Sequence, residues 1–390
     1  MKTLTGLLLL LLVSIPIMAN AAPIAEADRI AYVTSEGANT VTIIDLNTEQ
    51  IVKVLPTGKV PHALAFTADG KGYVNNRGSE DLTVIDGNRY EVITTIPLPA
   101  ISNQLALSPD GKILAVTYKN GLKVTLIDTA SDEIIKTIQV GDEPSGYKGV
   151  MMRHPYWTKD GRYVYVSDNV NNNIVKVDAS TFDIVTTIAM PGGNHYMHPA
   201  PDGRTIYAGG ETGKKGGTSV TLIDTLTDTI VKDIPIPLAE GEPGLGHHGE
   251  FTPDGKYFFF GNEGGRTMAI IDTSSLKVAK VLLVGMGAGH PVMREDGKYF
   301  FVVHHKDNMI TVVDIAKQEI VKEINVGEGK KQAHSSYFTP DGRFFYMINA
   351  EDNMMYKLDA VKMEVISKFP VGKTPMFFAI REAGEFVATE

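Results

Sequence analysis

Ten histidines and no cysteine define the chemistry open to this chain of 390 residues. Neutral imidazole is the commonest protein ligand for copper, iron, nickel and zinc. Disulfides, thiolate zinc sites, iron–sulfur clusters and covalent haem attachment all need cysteine and are excluded by inventory. The histidines follow a pattern. An Asp-Gly turn recurs with its aspartate at Asp69, Asp110, Asp160, Asp202, Asp254, Asp296 and Asp341. The seventh residue before that aspartate is His62, His195, His247 or His334 in four of the turns, and the sixth is His154, His248 or His290 in three. Arg153 occupies the histidine slot ahead of Asp160, where a guanidinium could hold an anion or pair with a loop carboxylate.

The turn is one beat of a longer repeat. Each unit has an apolar strand such as Ile30–Thr34, a polar tip, and a strand such as Val41–Ile44 that ends on an aspartate. That aspartate recurs as Asp45, Asp86, Asp128, Asp178, Asp224, Asp272, Asp314 and Asp359, as expected of a turn cap. A strand like Gln50–Val54, a loop carrying Gly or Pro, a short apolar strand and the Asp-Gly turn complete the unit. Four short strands punctuated by turn residues, repeated about every forty residues, make the blade of a propeller. Asp suits the turn because it bonds its own downstream backbone, and Gly because it tolerates positive φ.

The pattern predicts an all-β chain: one domain over 22–390, an eight-bladed β-propeller of four-stranded antiparallel blades. The first copy lacks an innermost strand and starts at Arg29, while the last ends on such a strand, Met376–Ile380, before a degenerate Ala383-Gly384 turn. The two incomplete ends complete each other. The C-terminal strand is expected to close the ring against Arg29–Val54 and so remove edges that invite aggregation.

In a propeller the segment before the Asp-Gly turn is the innermost strand, which lines the central channel and begins on the face bearing the inter-blade loops. The repeat-position histidines should therefore ring the channel mouth. The tips between second and third strands open on the same face and bring in His304 and His305, while His198 lies further along its strand. Successive turn aspartates are 41, 50, 42, 52, 42 and 45 residues apart. The extra length falls in Val140–Arg153, Gly210–Ser219 and Pro237–His247, all loops of the histidine face, and insertions in repeat proteins gather on a face that often binds.

The candidate metal ligands are His62, His154, His195, His247, His248, His290, His304 and His334, with Arg153 and His198 as candidate cofactor-binding residues. Glu242, Glu250 and Glu295 are candidate partners or proton acceptors for the imidazoles. The plain alternative is that Pro61–Leu64 varies an ordinary Pro-x-Gly-Val opening of the strand, with each imidazole solvated or bonded to a loop. Free imidazole titrates near pH ~6.5 and only its neutral form coordinates, so metal affinity is expected to fall as the pH drops through that region.

The runs Ala31–Ser35 and Tyr163–Ser167 and the turns of the Ser108–Lys112 kind resemble the YVTN-type propeller repeat, over essentially the whole chain that follows its first residues. Eight-bladed, exported members of that superfamily include the cytochrome d1 haem domain and its relatives in haem d1 maturation. The resemblance implies the fold, and a haem that propeller histidines ligate or flank, with Arg153 available to a propionate. No histidine here matches the family's axial-ligand position by motif, so the carry-over stops at architecture. The expected cofactor is a transition metal, copper favoured, or haem. Trp157 is the only tryptophan, which excludes the tryptophan-docking repeats of quinoprotein dehydrogenases.

Lys2, the apolar run Leu7–Met18 and the small-residue site Ala19–Ala21 read as a signal peptide over 1–21, too short to favour a membrane span of about 20 residues. A periplasmic address follows. Acidic residues outnumber basic ones, 46 to 37, with no basic cluster, which argues against nucleic acid and anionic lipid as partners. Gly209–Lys215 lacks the spacing of a phosphate loop, and no Ser-His-Asp order or His-Glu-x-x-His is present. Two classes of function remain. One is a periplasmic redox or cofactor-handling protein, oxidoreductase-like if an enzyme, monomeric, with an electron-transfer or maturation partner. The other is a non-catalytic scaffold binding a protein, peptide or glycan on the same face.

Overall fold

The computed structural model describes residues 28–211, 217–327 and 332–388, so the expected signal segment lies outside the described residues. Turn chemistry sets the strand ends. Asp45 accepts the backbone N–H groups of Asn47 and Thr48 at 2.8 and 3.2 Å, and Asp272 those of Ser274 and Ser275 at 3.1 and 2.7 Å. The glycines of the seven Asp-Gly turns all take positive φ, from 64° at Gly342 to 95° at Gly70, a region costly to any residue with a Cβ.

Eight antiparallel sheets result. Blade 1 spans Pro61–Pro97, blade 2 Ser102–Gln139, blade 3 Tyr156–Ala189 and blade 4 Gly193–Pro235. Blade 5 spans Gly246–Leu283, blade 6 Ala288–Asn325 and blade 7 Gln332–Pro370, while blade 8 joins Pro375–Glu382 to Arg29–Pro56. The expected closure is observed: Ala31 pairs with Ile380 and Val33 with Phe378. The Arg29 guanidinium meets Glu382, which also accepts the Tyr337 hydroxyl of blade 7. Inner strand Pro375–Glu382 touches the inner strands of blades 1 and 7, completing the ring. One strand was not anticipated. Glu385–Ala388 folds back on the inner edge of Pro375–Glu382 and makes blade 8 five-stranded, and it has no counterpart in the repeat.

Buried apolar strands face each other between blades. Phe258, Phe259, Phe260, Phe300 and Phe301 are fully buried. Polar ties join neighbouring blades: the Tyr73 hydroxyl donates to Asp132 at 2.6 Å and the Tyr165 hydroxyl to Asp228 at 2.8 Å. No helix among the described residues is long and apolar enough to cross a membrane.

Candidate metal centre

In every blade except blade 3 the innermost strand slips register near its start, as between Pro61 and Leu64, Asn194 and Tyr196, Gly246 and Gly249, and Ala288 and His290. A bulge takes a residue out of the ladder and re-aims its side chain. The residues set free include His62, His195, His247 and His248, and His290 follows the bulge directly. In blade 3 the ladder retains only Tyr156–Trp157, leaving His154 in the loop ahead of Pro155. Side chains of the preceding blade hold these openings: Thr34 donates to the His62 carbonyl at 2.6 Å, Asn103 to Met152 at 2.7 Å and Thr117 to Arg153 at 2.7 Å.

Bulges, the loop before Pro155 and the turn after His304 together bring six imidazoles to one place, in two groups of three: His154, His195 and His248, and His247, His290 and His305. Within each group one nitrogen per residue lies within 4.8 Å of the others. The groups interleave. Ring centroids are 3.9 Å apart for His195 and His247, 4.2 Å for His248 and His290, and 4.6 Å for His247 and His248. Tyr196 packs on His154 at 4.8 Å and on His248 at 4.4 Å. All but His154, which is half-buried, are buried. The Nδ1 atom of His248 has no hydrogen-bond partner within the protein, a costly state for a buried polar atom unless something else is bound there.

Burial and the mutual proximity of the rings push His154, His247, His248 and His290 well below the usual imidazole range. The rings are thus neutral, the form that coordinates. Among the described residues one carboxylate is seen beside them. Glu263 reaches His247 Nε2 and His305 Nδ1, each at 3.5 Å. Burial alone would raise its pKa, but its contact with His305 and the nearby basic groups hold it below the usual carboxylate range.

Several expected residues stand elsewhere. His62 is in the mouth but joins neither triad: its Nδ1 bonds Glu36 at 2.7 Å and its Nε2 faces Arg77 at 3.0 Å, so both nitrogens are engaged. His198 accepts the Gly249 N–H on its Nε2 at 3.1 Å and packs on Tyr196 and Phe258, a supporting place behind His248. His304 ends a strand and turns into blade 6, where its Nε2 bonds Thr311 at 2.9 Å. The next residue, His305, lies in the turn beyond the strand and joins His247 and His290 instead. The His334 side chain lies outside the described residues. Of the three expected acids, Glu242 accepts the Thr267 hydroxyl at 2.8 Å, Glu250 accepts the Met293 N–H at 2.7 Å, and Glu295 is exposed on a turn.

Glu263 and His305 carried a signal in the sequence. The first residue beyond the second strand of a blade forms its own ring at the mouth: Glu36, Arg77, Lys119, Asn169, Glu263 and His305 come from six blades.

The fold and the mouth define an eight-bladed propeller that gathers histidines of successive blades at one end of its channel. The chain is a β-propeller repeat protein resembling the cytochrome d1 haem-domain superfamily: residues 103–290 match the Cytochrome D1 heme domain family and residues 16–154 the YNCE-like beta-propeller family. No curated protein matches the chain as a relative. Among solved structures it is similar to the dihydro-heme d1 dehydrogenase NirN in complex with DHE, with 18% identity, 91% of this chain and 75% of that chain covered and a TM-score of 0.75. It is also similar to the Kuenenia stuttgartiensis hydrazine synthase, at 22% identity, 77% and 95% coverage and a TM-score of 0.58. At these identities the likeness is one of fold.

The donor set itself tests which group fits the triads. A haem iron has four positions filled by its macrocycle and leaves two, on opposite faces, for the protein. Three nitrogens converging on one point suit an ion with an open protein-supplied face and do not suit a haem iron.

Proposed function

We propose that this chain is an exported metalloprotein whose two histidine triads each hold one transition-metal ion, and that it serves a redox or cofactor-handling role in the periplasm. The observation that carries this reading is the convergence of six imidazoles from four blades into two groups of three. Copper is favoured. Six imidazoles with Glu263 beside them suit copper, and divalent copper heads the first-row affinity order at such sites. The basic start and apolar run of the first residues support export, and an electron-transfer or maturation partner would dock on the long-loop face above the triads.

The test is elemental analysis of the full chain purified after export with copper, iron and zinc all supplied. About two metal ions per chain are expected, and the His247→Ala/His248→Ala double variant, which removes one ligand from each triad, should carry almost none while melting with the parent. A chain devoid of metal under these conditions would overturn the reading.

A second reading rests on the family match over residues 103–290: the mouth handles a haem. In that case the purified or reconstituted protein shows intense visible absorbance, which the metal-ion reading does not produce.

A further inference from the structure

The two histidine groups are not alike. The ring centroids of His247, His290 and His305 form a nearly equilateral triangle with sides of 4.9, 4.8 and 5.0 Å. Those of His154, His195 and His248 stand 5.9, 5.4 and 5.5 Å apart, and His154 is half-buried in a loop. Zinc–nitrogen bonds of about 2.0–2.1 Å draw ligand rings close, so the smaller triangle needs less movement to close on an ion.

The smaller triangle is also braced. Glu263 faces two of its members with one carboxylate oxygen each, Oε2 towards His247 Nε2 and Oε1 towards His305 Nδ1, at 3.5 Å in each case. Its main chain is tied on two sides: its N–H donates to the Leu245 carbonyl at 2.8 Å, and its carbonyl accepts the Lys306 ammonium at 2.9 Å. Lys306 adjoins His305, whose own N–H donates to the Gly287 carbonyl at 2.8 Å, and the Gly287 N–H donates to the Gly265 carbonyl at 2.7 Å. The tips of blades 5 and 6 thus hold the carboxylate and the His305 ring in one frame.

An ionised carboxylate accepts hydrogen bonds and donates none, so the ring nitrogen that faces it is the one carrying the hydrogen. The other nitrogen then keeps the lone pair for an ion, and the bond made by one nitrogen of a histidine decides which nitrogen ligates. For His247 that is Nδ1, and for His305 it is Nε2. An independent contact agrees for His305. A Cβ at Gly289 would stand 2.7 Å from His305 Nε2, so the edge turned away from Glu263 lies on the strand that carries His290.

We propose that Glu263 is a positioning residue that fixes His247 to bind through Nδ1 and His305 through Nε2, and so makes the His247–His290–His305 group the tighter, first-filled of the two sites. The wider His154–His195–His248 group holds the more exchangeable ion. The filling order rests on the metal-centre reading, whereas the two tautomers are properties of the chain itself.

The experiment takes the full exported chain with isotope-labelled histidines, strips it of metal and titrates it with zinc, which leaves magnetic resonance signals sharp. Long-range proton–nitrogen correlations report which nitrogen of each ring is protonated and which is coordinated. Before zinc is added, His247 should carry its hydrogen on Nε2 and His305 on Nδ1. The first equivalent of zinc should move the signals of His247, His290 and His305, with His247 Nδ1 and His305 Nε2 coordinated. The second should move those of His154, His195 and His248. Glu263→Gln should weaken the first-filled site about tenfold to a hundredfold, as loss of the partner behind a metal ligand implies, with the other site and the metal-free melting temperature unchanged. The tautomers and the filling order are read in the parent chain, so they decide the proposal even where Glu263→Gln fails to fold. Coordination through His247 Nε2 or His305 Nδ1, which direct ligation by Glu263 would give, overturns it. So does first filling of the wider group, or parent affinity in Glu263→Gln. A chain that shows the two tautomers yet takes up no zinc loses the metal centre and the filling order and keeps the carboxylate clamp. One that takes up two ions through the opposite nitrogens keeps the metal centre and loses the role of Glu263.

Discussion

His62 and His195 occupy the same repeat position, on the same bulge, at the same channel mouth, yet their chemistry differs. His195 meets imidazoles of blades 3 and 5, at ring distances of 5.9 and 3.9 Å. His62 meets Glu36 and Arg77, which bind both its nitrogens. The slot brings an imidazole to the mouth, but the tip residues of the adjoining blades decide whether it can ligate. One sector of the ring is therefore a charged network built into the closing sheet, and the other a cluster of imidazole donors with Glu263 beside it.

The largest expected effect tests the closing sector. Deleting residues 376–390 removes Met376, Phe377, Phe378, Ala379 and Ile380, all buried, and the strand that pairs with Arg29–Ser35. Loss of one large buried side chain costs about 2–5 kcal/mol against a typical domain stability of about 5–15 kcal/mol, so the chain should not hold its fold. Thermal melting followed by circular dichroism checks this, and a truncated chain that melts with the parent would argue against closure by that strand.

Next comes the comparison of the two histidines themselves. His195→Ala should cost the first triad its ion, lowering bound metal from about two to about one per chain if the second triad holds on its own. His62→Ala should leave metal content untouched. Equal metal loss in both variants would erase the distinction between the sectors.

The pH dependence is of intermediate size. Burial, partly offset by Glu36, takes His62 down to about 4, and burial takes His198 and His304 to about 3, with His154, His247, His248 and His290 pushed in the same direction. In the unfolded chain these rings protonate near 6.5. Below that pH the unfolded state therefore binds more protons than the folded one, and the metal-free protein loses stability as the pH falls. The loss approaches about 1.4 kcal/mol per pH unit for each such histidine, until the folded-state ring itself protonates. Denaturant melts of the metal-free chain from pH 7.5 to 4.5 read this slope. The same shift moves the sequence-based expectation for metal binding: with His154, His247, His248 and His290 held neutral well below 6.5, uptake should change little between pH 7.5 and 6.

The smallest effects should be alike in the two sectors. Thr34→Val cuts the bond to the His62 carbonyl, and Thr117→Val the bond to the Arg153 carbonyl. Each should cost about 1–2 kcal/mol in denaturant melts. A much larger loss for one would show that the scaffold, as well as the chemistry, differs around the ring.

The sequence by itself determined the ring: eight copies, the closing strand at Met376–Ile380, and a histidine slot that opens on the channel. These features are local, set by turn residues and strand alternation within each copy, and each repetition reinforced them. It also assigned the extra length of the third and fifth copies to loops of the histidine face. Only the tertiary structure decided which imidazoles converge. His305 rather than His304 faces the channel because of where one strand ends. His62 is withdrawn by Glu36 and Arg77, and Glu263 takes the place expected of Glu242, Glu250 or Glu295. Each of these outcomes depends on side chains from different blades meeting across the mouth, so their distances are fixed by closure of the whole ring and not by spacing along any one copy.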